Sequence, residues 1–180
     1  YLQMKGEKVV LTREPGGTAL AEELRELRLN PEAQEILDPK AELLLMFAGR
    51  AQHLAHLILP ELAAGKWVIC DRFVDATYAY QGAGRGLDNK WIQLLEEFVV
   101  GSLRPVLTIL LDLDPALGLA RSKRRGPQDR FEKETLAFFS QVRHAYLDRA
   151  RKDRERFRVI EAGQPLLKVQ AQLQEVMEGL

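Results

Sequence analysis

Residues 67–86 read Trp-Val-Ile-Cys-Asp-Arg-Phe-Val-Asp-Ala-Thr-Tyr-Ala-Tyr-Gln-Gly-Ala-Gly-Arg-Gly. The apolar run Trp67–Cys70 stops on an acid and a base, Asp71 and Arg72, and a polar, aromatic and glycine-rich segment follows. An apolar run without polar alternation predicts a strand covered on both faces. In a parallel sheet the carboxyl end of such a strand is where ligands bind. Arg72 would offer a planar fork to phosphate oxygens, and Asp71 could hold a cation or orient that fork. A structural ion pair closing the strand fits the same residues, and spacing alone does not choose.

Outward from this stretch, three more strands are predicted at Lys8–Thr12, Val106–Leu111 and Phe157–Ile160. Helices fill the intervals. Thr18 caps Ala19–Leu29, with Leu20, Leu24 and Leu27 on one face. Asp38-Pro39 opens a long helix to about Ala64 that Pro60 should kink or split, and Gly65 ends it. Asp88 caps a helix bearing Trp91, Leu95, Phe98 and Val99; others run from about Lys133 to Lys152 and from Pro165 to about Met177. This alternation predicts one α/β domain over residues 1–180, a parallel sheet with helices on both faces.

Bulk properties narrow the function classes. With 26 basic and 26 acidic side chains the net charge is zero, so no global field favours nucleic acid or membrane surface. The apolar stretch Leu54–Leu62 is interrupted by His56, Pro60 and Glu61 and cannot span a bilayer. The single Cys70 has no disulfide partner in the chain. A cytoplasmic protein is the expectation.

Five constellations could carry chemistry. Thr12-Arg13-Glu14-Pro15-Gly16-Gly17-Thr18 ends a strand and opens a helix; its glycines permit left-handed turns and Arg13 could reach a phosphate, or the segment is a tight turn with a solvated arginine. Met46, Phe47 and Arg50 lie three and four apart on a helix, so a flat ring could stack beside a guanidinium, although core packing uses the same spacing. His53 and His56 read as packing or surface residues. Thr77, Tyr80 and Gln81 supply a hydroxyl, a ring and an amide suited to a nucleoside. Gly82-Ala83-Gly84-Arg85-Gly86 reads as a flexible loop. The basic segment Arg121–Arg130, broken by Gly126-Pro127, could close over polyphosphate or be a solvated helix end. Asp114 before Pro115 reads as a helix cap.

In order, TREPGGT (12–18), AELLLMFAGRAQH (41–53), DRFVDATYAYQGAGRG (71–86), RPVLTILLDLDP (104–115) and RGPQDRFE (125–132) resemble the bacterial thymidylate kinases along nearly the whole chain. The resemblance implies a P-loop nucleotide kinase fold and phosphoryl transfer from Mg-ATP to dTMP, giving dTDP for dTTP biosynthesis. It implies that Arg13 and Arg72 hold the dTMP phosphate and that Arg50 bonds the thymine edge. The stacking ring belongs four residues before that arginine, where this chain has Met46, with Phe47 three before it. Thr77 would contact the base, Tyr80 and Gln81 would complete the nucleoside pocket, and Glu14 and Asp71 would lie near the phosphates and Mg2+. Residues 121–132 would form the lid, with Arg125, Lys123, Arg121 and Arg130 facing ATP and Arg125 foremost in catalysis. A homodimer through helices such as Ala41–Ala64 is also implied.

The phosphate loop G-x-x-x-x-G-K-[ST] is not in this sequence. The only Gly-Lys pair, Gly65-Lys66, has Pro60 and Trp67 at the key flanking positions. The resemblance places a strand and that loop upstream of Tyr1, with the strand between those of Trp67 and Val106. Strands sit about 4.8 Å apart, so without it two neighbours would be left with unpaired edges. The expectation is that the natural protein carries the loop and that the chain as written is inactive without it. Two other readings stay open: a deoxynucleoside kinase, which would need a carboxylate base at a 5′-hydroxyl, and a non-catalytic nucleotide-binding protein.

Overall fold

The structure, a computed structural model, describes residues 1–30, 35–123 and 134–179, of Lys123 the backbone only. The chain falls into two compact units, Leu2–Leu103 and Arg104–Leu180 with Tyr1. The expected RGPQDRFE lid match (125–132) lies outside the described residues, as do Arg125 and Arg130.

In the first unit, β1 (Val9–Arg13) and β2 (Trp67–Asp71) pair in parallel from Val9↔Trp67 to Arg13↔Asp71. α1 (Ala19–Leu29) follows β1, its N-terminus capped by Thr18 accepting from the Ala21 N–H. α2 (Pro39–His53) starts on the Asp38 cap with Pro39 in its first turn. The long helix expected to run to about Ala64 reaches Ala63 in three successive helical segments, the last beginning beside Pro60. After α2, Leu54–Ile58 widens into π-helical turns, the Leu59 N–H reaching back to Leu54 O, and α3 (Leu59–Ala63) begins with Pro60 in its first turn. Proline has no N–H to donate, so the ladder is rerouted around it.

α4 (Val74–Thr77) runs directly into a second π-helical segment, Tyr78–Gly84. The flexible loop expected over Gly82–Gly86 is therefore corrected: it is helical through Gly84, and only Arg85 and Gly86 form a turn. Gly82 is buried, and a Cβ there would lie 2.7 Å from Asn89 Oδ1 and 3.2 Å from Ile92 Cδ1. Gly82 thus serves close packing against α5 (Asn89–Val99). Leu43, Phe47, Leu54, Ile58, Val74, Ile92 and Val100 form the core beneath them. Burial of each such side chain is worth about 1.5–3 kcal/mol.

In the second unit, β3 (Thr108–Asp112) pairs in parallel with β4 (Phe157–Glu161), and α6 (Pro115–Lys123), α7 (Leu136–Lys152) and α8 (Leu166–Glu178) complete it. Asp114 caps α6 as expected, its Oδ1 accepting from the Ala116 N–H at 2.8 Å. α7 starts at Leu136, capped by Thr135 accepting from the Phe138 N–H. Phe138, Val142, Phe157 and Ile160 are buried.

Among the described residues each of the four strands ends on a charged residue that the apolar reading had left outside: Arg13, Asp71, Asp112 and Glu161. The main-chain ladder does not depend on side-chain polarity. It continues past the apolar run, Glu14 N–H bonding Asp71 O at 2.9 Å and Ala162 N–H bonding Asp112 O at 2.8 Å. Charge is thereby delivered to the carboxyl edges, where an α/β sheet binds ligands.

Candidate functional site

In the first unit the carboxyl ends of β1 and β2 meet one face of α2 and the α4 segment. Beyond Arg13 the chain turns through Pro15, Gly16 and Gly17, the last two at φ 132° and 89°. Only glycine adopts these angles without strain. Space demands it as well: a Cβ on Gly17 would lie 2.4 Å from His53 Nε2. Arg13 is half exposed, and its Nη2 donates to Glu22 Oε2 at 2.9 Å. The Gly17 N–H donates to Glu22 Oε1, and that bond, with Arg13, holds the Glu22 carboxyl below its usual range.

Arg72 is the one non-glycine residue with positive φ, at 67°, among the described residues. Such a conformation costs about 1–3 kcal/mol and persists where its surroundings impose it. Its guanidinium stacks over the Tyr80 ring at 5.2 Å. Asp71 is exposed at the same strand end. Behind it the Cys70 Sγ–H donates to Arg72 O at 3.0 Å; burial, then the Glu14 charge, pushes this thiol above its ordinary value, so it is an inert packing group.

Beneath the strand ends lies a buried polar network. Arg50 is 1% exposed. Its Nε donates to Glu14 Oε2 at 2.8 Å and its Nη2 to Thr77 Oγ1 at 3.0 Å. Its Cζ lies 4.7 Å from the Phe47 ring centroid and 5.4 Å from that of Phe73. His53 Nδ1 is 3.1 Å from Glu14 Oε1 and His53 Nε2 is 2.7 Å from Thr12 Oγ1. Gln81 Nε2 donates to Glu42 Oε1 at 2.7 Å. Two buried atoms in this group have no protein partner: Arg50 Nη1, a donor, and Gln81 Oε1, an acceptor. Such orphans cost free energy in a closed core and call for a bound partner.

The structure thus brings Arg13, Glu14, Phe47, Arg50, Asp71, Arg72, Thr77, Tyr80 and Gln81 into one unit, with Met46 also buried on α2. Two roles change. Glu14, expected beside Mg2+, has both oxygens engaged by Arg50 and His53 at 3% exposure. Thr77, expected on the base, gives its oxygen to Arg50. Arg121, expected to face ATP, lies in the second unit with Nη1 donating to Ala162 O at 3.2 Å.

Sequence reasoning missed Glu42, His53 and Thr12 as parts of the network. The signal was available: Glu42, Met46, Arg50 and His53 recur at helical spacing on the face that carries Leu43 and Phe47. Polar side chains on a buried stripe require partners.

The chain matches the thymidylate kinase family model over residues 1–173. It is 55% identical over 179 residues to a thymidylate kinase of Pseudomonas savastanoi pv. phaseolicola, covering 99% of this chain and 85% of that one. Thymidylate kinase of Alcanivorax borkumensis is 51% identical over 99% of this chain and 86% of its own. The crystal structure of thymidylate kinase from Ehrlichia chaffeensis superposes with a TM-score of 0.73 at 35% identity, covering 94% of this chain and 80% of that one. Strand-end arginines, a buried polar network with unmatched atoms and these matches agree, and the chain belongs to the thymidylate kinase family.

Proposed function

We propose that the first unit holds the acceptor nucleotide of a kinase that transfers the terminal phosphoryl group of ATP to dTMP. The observation that carries the site-level reading is the pair of buried, unmatched atoms. Thymine presents a 4-carbonyl acceptor beside an N3–H donor; Arg50 Nη1 and Gln81 Oε1 offer the complementary donor and acceptor. Phe47 is the proposed stacking ring in place of Met46, because Arg50 rests against it. Arg13 and Arg72 at the adjacent strand ends take the monoester, and Tyr80 packs against the sugar. The family match does not favour a deoxynucleoside kinase, whose acceptor carries no phosphate.

Mg2+ is held in such reactions by one or two carboxylates, water and the substrate's phosphates. Asp71, exposed at the end of β2, fits as that carboxylate, whereas Glu14 does not. The ion would neutralise charge on the transferring phosphoryl group. Arg121, Lys123, Arg125 and Arg130 are proposed on the ATP side from sequence alone.

A homodimer is also proposed. Trp91, Leu94 and Phe98 of α5 are 54%, 58% and 85% exposed, and Leu44 of α2 is 58% exposed, an apolar surface of the kind that marks interfaces. Sedimentation of Phe98→Asp should give monomer where the parent gives dimer. The chain's helices include none long and apolar enough to cross a membrane among the described residues. Calorimetry with dTMP and thymidine tests the phosphate reading: dTMP should bind at least about 100-fold more tightly, and Arg72→Met should erase most of that difference. Equal affinities for the two ligands would refute it.

A further inference from the structure

With Gln81 read as the acceptor for an imide N–H, its orientation becomes decisive, and the role assigned to Glu42 rests on that reading. A primary amide can present either its oxygen or its NH2 group by turning half a revolution about its last torsion, and the two faces are nearly the same shape. A glutamine free to turn would serve thymine, which offers N3–H, and cytosine, which offers an N3 lone pair. It would not discriminate between them.

Gln81 is not free to turn. Its Nε2 lies 2.7 Å from Glu42 Oε1, and Glu42 is fully buried on α2. An ionised carboxylate accepts hydrogen bonds and donates none. Only the NH2 group can face it; the turned amide would set two oxygens against each other at that distance. The Arg85 Nε, 3.4 Å from Glu42 Oε2 and itself largely buried, supplies the opposite charge that a buried carboxylate requires. What remains on the other side of the amide is Oε1, buried and unpartnered.

We propose that Glu42 is the pyrimidine-selecting residue of this enzyme: by holding Gln81 with its oxygen toward the base, it admits imide bases and excludes cytosine. It acts through Gln81 as a positioning residue and need not touch the nucleotide. Cytosine would set its N3 lone pair against Oε1 and its 4-amino donor against the Arg50 donor. Sites built on such matched groups reject the mismatched ligand by large factors.

The test is the ratio of dissociation constants for dCMP and dTMP, measured by calorimetry on the parent and on Glu42→Gln. A glutamine at position 42 can either accept from or donate to Gln81, so both orientations become available. The ratio should fall by at least about tenfold, while the dUMP to dTMP ratio stays within about twofold, since both carry the imide. Misfolding or general loosening would weaken every nucleotide together and leave the ratios unchanged. Should Glu42→Gln not fold, Glu42→Asp keeps the charge but withdraws it by one methylene, and a smaller fall in the same ratio is expected. A folded Glu42→Gln, or in its place Glu42→Asp, with the parent's dCMP to dTMP ratio overturns the proposal. N3-methyl-dTMP on the parent separates the two layers: if it binds as well as dTMP, the Gln81 reading itself fails and the Glu42 proposal with it. If it is rejected while the variants keep the parent's ratio, the role of Glu42 alone fails.

Discussion

Two carboxylate–arginine pairs sit at strand ends, one in each unit, and they are built differently. At the end of β3, Arg143 from α7 grips Asp112 with two parallel bonds, Nε to Oδ1 at 2.7 Å and Nη2 to Oδ2 at 2.8 Å. Both oxygens are matched by one fork. The side chains keep 37% and 17% exposure, so solvent covers what is left. After β1, Arg50 gives Glu14 a single bond, Thr77 takes a second nitrogen, His53 takes the other Glu14 oxygen, and Nη1 is left with nothing. That pair is 0% and 2% exposed. A buried pair divided among third parties is a poor way to stabilise a fold, since desolvation offsets its attraction. The complete fork fastens two elements of one unit; the divided one leaves a buried donor unmatched, the atom on which the proposed base site rests.

The largest expected effect comes from breaking the divided pair. Arg50→Met leaves Glu14 buried without its cation, which costs roughly 3–5 kcal/mol. In a chain of this length that lowers the melting temperature by roughly 10 °C. Affinity for dTMP should fall at least about 100-fold, because a buried charged partner is lost from the ligand as well. Thermal melts with and without dTMP measure both. An unchanged melting temperature would show that the network is looser than its distances indicate.

Gly17→Ala probes the same network without removing a polar atom. The new Cβ would meet His53 Nε2 at 2.4 Å and Thr12 Oγ1 at 2.8 Å, at a φ of 89°. Strain and displacement together should cost about 2–3 kcal/mol. Because His53 orients Glu14, dTMP affinity should drop about tenfold, as expected for a lost positioning contact of this size. Loss of stability with full affinity would mean that His53 packs and does not position.

How far this contrast was legible in the sequence depends on the kind of signal. The strands showed as apolar runs, and Thr18, Asp38 and Asp88 announced their helices by cap chemistry. Arg13, Arg72 and Arg50 could be placed on strand ends and a helix face by spacing. What spacing could not give is the partner of each group. Glu14 and Asp71 are both acids at strand ends, yet one is enclosed by Arg50 and His53 and the other is exposed. That difference arises from elements far apart along the chain. The π-helical turns escaped for a related reason. Gly82 reads locally as a loop former, and only the approach of Asn89 and Ile92 reveals that it is there for want of a side chain.

Between these extremes, Gly82→Ala asks how much the packing beneath Gln81 matters. The Asn89 amide can swing aside, but Ile92 is fully buried and must shift. A loss of about 1 kcal/mol is expected, read by urea denaturation, together with a few-fold weaker dTMP binding as Gln81 moves. Full affinity would place the base away from this segment.

The smallest effect is expected at the complete fork. The Asp112 carboxyl is held below its ordinary 3.8, first by the hydrogen bond from Arg143 and then by its charge, against an opposing contribution from burial. A carboxylate that is more acidic in the folded state stabilises that state above its unfolded value, and loses the contribution as pH falls through the folded one. Arg143→Met should therefore cost only about 1 kcal/mol at pH 7, since Arg143 is more than a third exposed and solvent screens the pair. Urea denaturation from pH 7 downward should show parent and variant converging below pH 3.8. Titration with dTMP at pH 7 should give the two proteins the same affinity, because no donor of this fork is reserved for a ligand. Weakened nucleotide binding in Arg143→Met would erase the distinction, for a pair satisfied within its own unit would then be serving the ligand as the divided one does.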